Sequence, residues 1–309
     1  MRVWETALEL LAEMQARHRL KPNVITYNAV LSACEKGAQW ERALALLDEM
    51  RECGLEPDLV SLNTAIAACG ACGQWERAIA LLDAIRARGL SPDVISYNAA
   101  ISACARGAQS ERARALLDEM CAAHSGVDPD VVSYNAVIAA HVTCAEWEPA
   151  TALLGEMWAR GVPGVAPNPI SYRAAISACA NGRQWRRALE LLAEMARRGL
   201  EPDVRTWNAA IGACELCAEW QRALVLLSEM RQRGLAPDAM SYAAAIAACT
   251  RGAQWERALR LFDDMREHDV PPTTQTYAAA LRACERGAQW ERAVELLEAS
   301  DLLVAFTQA

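Results

Sequence analysis

The stretch Val24-Ile25-Thr26-Tyr27-Asn28 decides the fold, because it returns at regular intervals along the chain. It recurs as Leu59-Val60-Ser61-Leu62-Asn63, then as Val94-Ile95-Ser96-Tyr97-Asn98 and Val131-Val132-Ser133-Tyr134-Asn135. Altered copies start at Pro169, Val204, Ala239 and Thr274, so the start-to-start spacings are 35, 35, 37, 38, 35, 35 and 35 residues. A period of this length indicates a supersecondary unit that is stacked many times.

Each repeat is predicted to hold two helices. The first follows a pair such as Pro57-Asp58, where Asp is a good N-cap, and ends near a glycine such as Gly37. Its apolar residues fall at helical spacing, and in the first repeat they are Tyr27, Val30, Leu31 and Cys34. The second helix is predicted from about Trp40 to Cys53, with a buried face of Trp40, Ala43, Leu44, Leu47 and Met50.

One helix pair cannot bury its own apolar face, whereas stacked pairs can, so we expect one continuous all-α solenoid rather than two globular domains. Residues 1–23 are assigned to a partial repeat that supplies a second helix, and residues 274–309 to an eighth repeat with a divergent C-terminal tail. Seven complete repeats are predicted between them, over residues 24–58, 59–93, 94–130, 131–168, 169–203, 204–238 and 239–273.

The repeated motifs resemble those of the pentatricopeptide repeat family. They are V-x-T/S-Y-N at the start of a repeat, A-L-x-L-L-x-E-M in its second helix and G-L-x-P-D at its end, and they cover residues 4–297. The tetratricopeptide signature W-x2-L-G-x2-Y is absent. The resemblance implies a right-handed superhelical α-solenoid and a P-type array without an added catalytic domain.

Composition excludes several classes of protein. The 309 residues are 53% hydrophobic and 23% charged, so the chain can bury a core. Only 2 Phe are present among many helix formers, which excludes an all-β fold. No apolar run approaches the ~18 residues that a membrane span needs, and no signal sequence is apparent. We expect a soluble protein without a membrane partner, whose 12 Cys are free thiols.

Residues that resemble chemical sites are interpreted as packing residues. Cysteines at the eleventh place of most repeats and tryptophans at the seventeenth lie at core spacing. Cys69-x-x-Cys72 and Cys214-x-x-Cys217 have metal-like spacing, but neither has a second pair nearby. The 4 His form no H-E-x-x-H motif, and no phosphate-binding loop is present. We expect no enzymatic activity, cofactor, metal or small-molecule substrate.

The second, fifth and ninth residues of each repeat form one stripe on the first helix. Asparagine returns five times at the fifth place, although it is a mediocre helix former. Its amide can read the edge of a base, since it carries both a donor and an acceptor. Equally, it can bond to the neighbouring repeat's backbone or to water. A stripe of apolar, amide and small residues is suited to holding single-stranded bases, one per repeat.

In the family that the chain resembles, the fifth and last residues of a repeat together select an RNA base. The resemblance implies uracil for Asn28 with Asp58, Asn63 with Asp93, Asn98 with Asp130 and Asn208 with Asp238, and a pyrimidine for Asn135 with Asn168. Arg173 with Asp203 and Ala243 with Thr273 match no standard pair. The implied target, from 5′ to 3′, is U-U-U-pyrimidine-any-U-any. The aspartates are also expected to serve as N-caps. Second residues pack between bases in this family, which implies that role for Ile25, Val60, Ile95, Val132 and Ile170.

The charges support RNA binding only in part. The net charge is -8, yet the first helices carry seven Lys and Arg against three Glu. The resemblance implies phosphate contacts for the thirteenth residues Lys36, Arg106, Arg251 and Arg286. They are equally explained as cations favoured by the negative end of the helix dipole.

We therefore predict a non-enzymatic protein that binds pyrimidine-rich single-stranded RNA. By resemblance it would act in organellar RNA processing, stability or translation, in a chloroplast or mitochondrion, although no transit peptide is visible. Two alternatives remain at this point: a scaffold for protein partners that has lost RNA binding, or a fragment of a longer repeat protein.

Overall fold

The computed structural model describes residues 3–16, 21–122, 126–161 and 164–307, with the side chains of residues 16 and 299–307 excepted. Within these ranges the chain forms seventeen helices and no strands. The predicted all-α fold of helix-turn-helix repeats is therefore confirmed. The helices are α1 (Val3–Ala16), α2 (Val24–Lys36), α3 (Trp40–Glu52), α4 (Leu59–Ala71), α5 (Trp75–Ala87), α6 (Val94–Arg106), α7 (Ser110–Cys121), α8 (Val131–Thr143), α9 (Trp147–Arg160), α10 (Pro169–Asn181), α11 (Trp185–Arg197), α12 (Val204–Leu216), α13 (Trp220–Gln232), α14 (Ala239–Arg251), α15 (Trp255–Glu267), α16 (Thr274–Arg286) and α17 (Trp290–Thr307).

The helices form two compact units. Unit 1 comprises residues 1–144 and 155–166, and unit 2 comprises residues 145–154 and 167–309. Within each unit the first helix of a repeat packs against the first helices of its neighbours, as α2, α4, α6 and α8 do in unit 1. Second helices pack against the first helix of their own repeat and of the next one, as α5 does between α4 and α6; the same holds for α3, α7, α11, α13 and α15. The first helices thus form a continuous layer within each unit.

First helices begin at well-formed caps. Asp58, Asp93, Asp130, Asp203 and Asp238 precede them with extended backbone, and each side chain accepts a hydrogen bond from the N–H three residues later. The residue that donates is a fully buried Ser or Thr. The predicted N-cap role of these aspartates is observed, and it fixes the start of each first helix.

The buried stripe of the first helix follows the prediction, whereas in the second helix two residues predicted to be buried, Trp40 and Leu44, are half-buried. Tyr27, Val30, Leu31 and Cys34 are buried in α2, and Ala43, Leu46, Leu47 and Met50 in α3. Leu46 therefore takes the core position that the spacing assigned to Leu44, which is half-buried. Tyr27 also donates a hydrogen bond to Glu49 at 2.8 Å, and Tyr97 donates to Glu119 at 2.7 Å, which connects the two helices of the first and third repeats.

The glycine that ends many first helices has a different role from the one predicted. Gly107 has a φ of -81°, and the left-handed conformation falls on the next residue, Ala108, with a φ of 53°. A Cβ atom at Gly107 would overlap the ring of Trp75, which belongs to the preceding repeat. The same arrangement joins Trp220 to Gly252 and Trp255 to Gly287. The glycine is required because the tryptophan packs against it, and the tryptophan is a packing residue between repeats.

None of the helices in the described ranges combines the length and apolar character that a bilayer span requires.

Candidate nucleic-acid interface

The second residue of most first helices exposes a large apolar side chain. Ile25 is 77% exposed and Ile170 is 50% exposed, and the values for Val60, Ile95, Val132 and Met240 lie between these. The other two repeats have Arg205 and Gln275 at this place. Exposed apolar side chains are costly to leave in water, so a regular row of them indicates a contact surface. The five residues predicted to pack between bases, four in unit 1 and Ile170 in unit 2, are all exposed in this way.

The fifth residue contacts the last residue of its own repeat where the two are Asn and Asp. The amide nitrogens of Asn28, Asn63, Asn98 and Asn208 donate to the carboxylates of Asp58, Asp93, Asp130 and Asp238 at 3.2, 3.1, 3.3 and 3.0 Å. Residues about 30 positions apart are brought together because the aspartate caps the next first helix. The structure therefore joins the members of all four Asn–Asp pairs named from the sequence.

Each aspartate in these pairs is held ionised. Burial alone would raise the pKa of Asp58, but hydrogen bonds from the backbone and hydroxyl of Ser61 and from Asn28 outweigh it and place the pKa below its usual value. The pKa values of Asp93, Asp130 and Asp238 are lowered for the same reason. A carboxylate that accepts several hydrogen bonds stays negative and so orients the amide beside it.

A third residue completes this arrangement, and the sequence analysis missed it. The hydroxyl of Ser61 lies 2.6 Å from Asn28 Oδ1, and Ser96 and Ser241 lie at the same distance from Asn63 and Asn208. Each serine is fully buried at the third place of the following repeat. The sequence did contain a sign of this role, since the third residue of all eight repeats is Ser or Thr.

The three groups leave the amide with one free direction. The serine hydroxyl, with its single proton, lies within hydrogen-bond distance of both the asparagine carbonyl and the aspartate carboxylate, at 2.6 and 2.8 Å for Ser61, and one amide N–H donates to that carboxylate. Turning the amide over would place its carbonyl oxygen against the carboxylate, which is repulsive. The second N–H is left as a donor whose orientation is fixed.

The third and fourth repeats depart from this pattern. Ser133 lies 2.9 Å from Asp130, just as Ser61 lies 2.8 Å from Asp58, but no hydrogen bond joins Ser133 to Asn98 among the described residues. The carbonyl oxygens of Asn98 and Asn135 are buried without a hydrogen-bond partner in the described part of the chain. Asn135 lies in unit 1, and Asn168 in unit 2 is the N-cap of α10, accepting from Ile170 and Ser171.

Repeats without Asn at the fifth place form different contacts. Arg173 makes an ion pair with Asp203 at 3.8 Å, so an arginine takes the place of the amide in the fifth repeat. Ala243 and Ala278 have no polar side chain, and they line an open groove in unit 2 together with Arg173.

The four cations predicted to contact phosphate fall into two classes. Lys36 and Arg106 are exposed at the ends of α2 and α6. Arg251 pairs with Glu215 at 3.1 Å, and Arg286 donates to the Thr250 carbonyl at 2.9 Å. The contact of Arg286 with the end of α14 fits the helix-dipole explanation, because unsatisfied carbonyls attract cations there.

The cysteines of the first helices are core residues. Cys34, Cys69, Cys104, Cys179, Cys214, Cys249 and Cys284 are fully buried. Burial raises the pKa of Cys69 to about 11, with the neighbouring Cys72 adding to the effect. Such thiols are protonated at neutral pH and unreactive. Among the described residues, no three His, Cys, Asp or Glu side chains gather where a metal ion would be held.

Comparison with known proteins agrees with the repeat pattern. The PPR repeat family matches residues 22–69, 57–106 and 167–215, the pentatricopeptide repeat domain matches residues 225–286, and the PPR repeat matches residues 95–123, 132–162 and 205–235. The chloroplastic pentatricopeptide repeat-containing protein 10 of Zea mays is 48% identical over 54 residues, which are 17% of this chain and 7% of that protein.

Solved structures give the same result over a longer stretch. The crystal structure of the pentatricopeptide repeat protein PPR10 from maize is similar with a TM-score of 0.62 at 29% identity, over 96% of this chain and 46% of that one. The structure of PPR10 in complex with an 18-nt psaJ RNA element has a TM-score of 0.47 at 28% identity, over 97% of this chain and 46% of that one. The chain thus spans less than half the length of these structures. The repeat motifs, the helix pairs, the family matches and the likeness to the PPR10 structure with a TM-score of 0.62 together show that the chain belongs to the pentatricopeptide repeat family.

Proposed function

We propose that this chain binds single-stranded RNA sequence-selectively, with one base per repeat and a preference for pyrimidine-rich sequences containing U-U-U-pyrimidine-any-U-any. The observation that carries the proposal is the oriented amide of Asn28, Asn63 and Asn208, which lies on the first helix with an exposed apolar residue at the second place of repeats one and two. In support, the maize protein whose fold resembles this chain has been crystallised with RNA.

The geometry suits a base placed edge-on to the amide. A base that inserts between apolar side chains of successive repeats is desolvated on both faces, so a hydrogen bond at its edge counts strongly. The free amide N–H would donate to a carbonyl oxygen of uracil, which carries two such oxygens. The preference for uracil over other bases comes from the family resemblance.

The protein would act by occupying RNA rather than by cleaving or modifying it. Every helix from Val24 to Arg286 in the described ranges belongs to a repeat pair. Catalysis would then depend on a recruited partner. The organellar role, in processing, stability or translation, is proposed from the chloroplastic relative in maize.

The test is fluorescence anisotropy of the purified chain with a short RNA containing UUUCAUA, compared with RNAs in which only the second nucleotide is changed. We expect Asn63→Ala to remove the preference for U at that nucleotide and to leave preferences at the others intact. The effect should be about tenfold, which is typical of one well-formed base contact.

The matched control is Thr64→Ala. Thr64 is the next residue of α4, and its hydroxyl donates to the Val60 carbonyl of its own helix at 2.8 Å. This variant should bind like the wild type. Equal binding to every RNA, or no binding at low salt, would contradict the proposal and favour a protein-interaction scaffold.

A further inference from the structure

The first helices of unit 2 line a groove that differs from the asparagine-bearing surface of unit 1. We call it the arginine groove; its volume is about 750 Å³, and its lining includes Arg173, Arg205, Gly212, Ala243, Ala247 and Arg282. Asn208 is the only asparagine in this lining. Ala243 and Ala278 leave the groove open at fifth places that hold amides in unit 1.

Two arginines at the groove make no direct ion pair, although Arg205 lies near Asp203 and Arg282 near Glu215. Arg205 stands at the second place of its repeat and Arg282 at the ninth, where other repeats have apolar and small residues. Both are exposed, and neither makes an ion pair or hydrogen bond within the described part of the chain. Arg173, in contrast, is paired with Asp203. A guanidinium that the protein leaves unpaired is available to an anion.

The charge of the whole chain makes this local surplus distinctive. The first helices of unit 2 carry five arginines and two glutamates, although the net charge of the protein is -8. The first helices α2, α4, α6 and α8 of unit 1 carry two cations and one glutamate. Positive charge on the layer of first helices is therefore concentrated in unit 2.

One carboxylate competes for these cations. Glu215 lines the groove, and burial raises its pKa while Arg251 and Arg282 lower it, so the three charges interact. Its carboxylate is 3.1 Å from Arg251. An anionic ligand would compete with the Glu215 carboxylate for Arg251 and Arg282. Substitution of Glu215 therefore tests whether an anion binds here.

We infer that Arg205 and Arg282 bind phosphodiester groups of the RNA, so that the arginine groove anchors the strand without reading its bases. The inference rests on the proposed RNA binding. Guanidinium groups match phosphate oxygens in a bidentate manner, and such contacts carry no base information. Ala243 and Ala247 beneath them accept any base, which accounts for the seventh repeat, whose Ala243 and Thr273 match no standard pair.

The experiment measures Kd for fluorescein-labelled RNA containing UUUCAUA over a series of salt concentrations. Arg205→Gln and Arg282→Gln should each weaken binding roughly fivefold, by the same factor for every base at the fifth and seventh nucleotides. Each should also reduce the slope of log Kd against log salt by about 0.7, the value for one phosphate of a single strand. The preference for U at the first three nucleotides should not change.

Two further variants make the result independent of folding defects. Arg260→Gln removes an exposed arginine from the second helix α15 and should match the wild type. Glu215→Gln should tighten binding about threefold and steepen the salt slope, because it releases Arg251 and Arg282. Excess uridine monophosphate should compete poorly, since an isolated nucleotide spans too few contacts; strong competition would indicate a mononucleotide site instead.

The outcomes separate the two proposals. If Asn63→Ala abolishes the preference for U but the groove variants behave like Arg260→Gln, the anchoring role is wrong and RNA reading stands. Weaker binding by Glu215→Gln would likewise overturn the anchoring role. Failure of the wild-type chain to bind RNA would overturn both.

Discussion

Repeats one to three and repeats five to eight have the same pattern of buried residues and present different surfaces. In repeats one to three, Asn28, Asn63 and Asn98 each contact an aspartate, and the second places hold Ile or Val. In repeats five to eight, the fifth places hold Arg173, Asn208, Ala243 and Ala278. A hollow in the first region, of about 410 Å³, is lined by one glutamate and one arginine, whereas the arginine groove is larger and more basic.

This difference shows that the surface of a first helix is set independently of its core. The buried third, fourth and eleventh places change little between the two regions, as Ser96, Tyr97 and Cys104 match Ser241, Tyr242 and Cys249. The second, fifth and ninth places face away from that core and are free to vary. One scaffold can therefore carry both a region that reads bases and a region that holds the strand.

The largest effect is expected when the fifth and last residues of the seventh repeat are replaced by those of a base-reading repeat. Ala243→Asn combined with Thr273→Asp should give the seventh repeat a preference of about tenfold for U at the seventh nucleotide. Aspartate is a good N-cap, and the buried Thr276 is already in place to bond with it. Binding to RNAs that vary only at that nucleotide measures the gain.

The reverse exchange is the matched control. Asn63→Ala combined with Asp93→Thr should make the second repeat indifferent to its base and leave the helix cap intact. If the seventh repeat gains no preference while the second loses its own, the fifth and last residues alone do not determine reading.

A smaller effect is expected from the buried serine. Ser61→Ala should lower the preference for U at the first nucleotide about threefold, because Asn28 loses a hydrogen bond that orients its amide. Ser61→Thr should restore the preference, as threonine occupies this place in other repeats. Ser133→Ala removes a hydroxyl that bonds to Asp130 and not to Asn98, so it should leave the preference at the third nucleotide unchanged. Equal losses in Ser61→Ala and Ser133→Ala would mean that the hydroxyl acts only through the helix cap.

The smallest effect is expected from acidification, and it should be confined to the reading repeats. The pKa values of Asp58, Asp93 and Asp130 are lowered in the folded chain, so their ionised forms contribute stability that is present at neutral pH and is lost as the pH falls through those values. The preference for U over G at the first three nucleotides should be constant from about pH 7 to 5 and decline only below the usual aspartate range, near pH 3.9. The seventh repeat has Thr273 in place of the aspartate, and a threonine side chain does not titrate in this pH range. A decline that begins above pH 5 would contradict the assignment to these aspartates.

Much of the fold was predictable because each signal was local and repeated. The Pro-Asp caps, the helical spacing of Tyr27, Val30 and Leu31, and the period itself needed no knowledge of distant contacts. The Asn–Asp pairs were named by resemblance, and the repeat length explains why they meet. Burial of Leu46 in place of Leu44 was missed, although Ala43, Leu46, Leu47 and Met50 have the i, i+3, i+4, i+7 spacing of one helix face.

The polar details depended on distances that a sequence does not contain. A serine hydroxyl has one proton. Whether Ser61 and Ser133 contact the asparagine as well as the aspartate depends on differences of a few tenths of an ångström in the distances between these side chains. The pairing of Arg251 with Glu215 likewise joins residues one repeat apart, where the sequence offers several acidic partners.

The joint between Trp255 and Gly287 has a consequence for how such a chain can evolve. The seventh repeat supplies the glycine, Gly252, for the contact with the sixth repeat and the tryptophan, Trp255, for the contact with the eighth. If one repeat is duplicated in tandem or lost, each remaining boundary between repeats still has one tryptophan and one glycine to pack together. Duplication or deletion of one repeat therefore preserves the packing between repeats. Under the proposed function it would lengthen or shorten the recognised RNA sequence by one nucleotide.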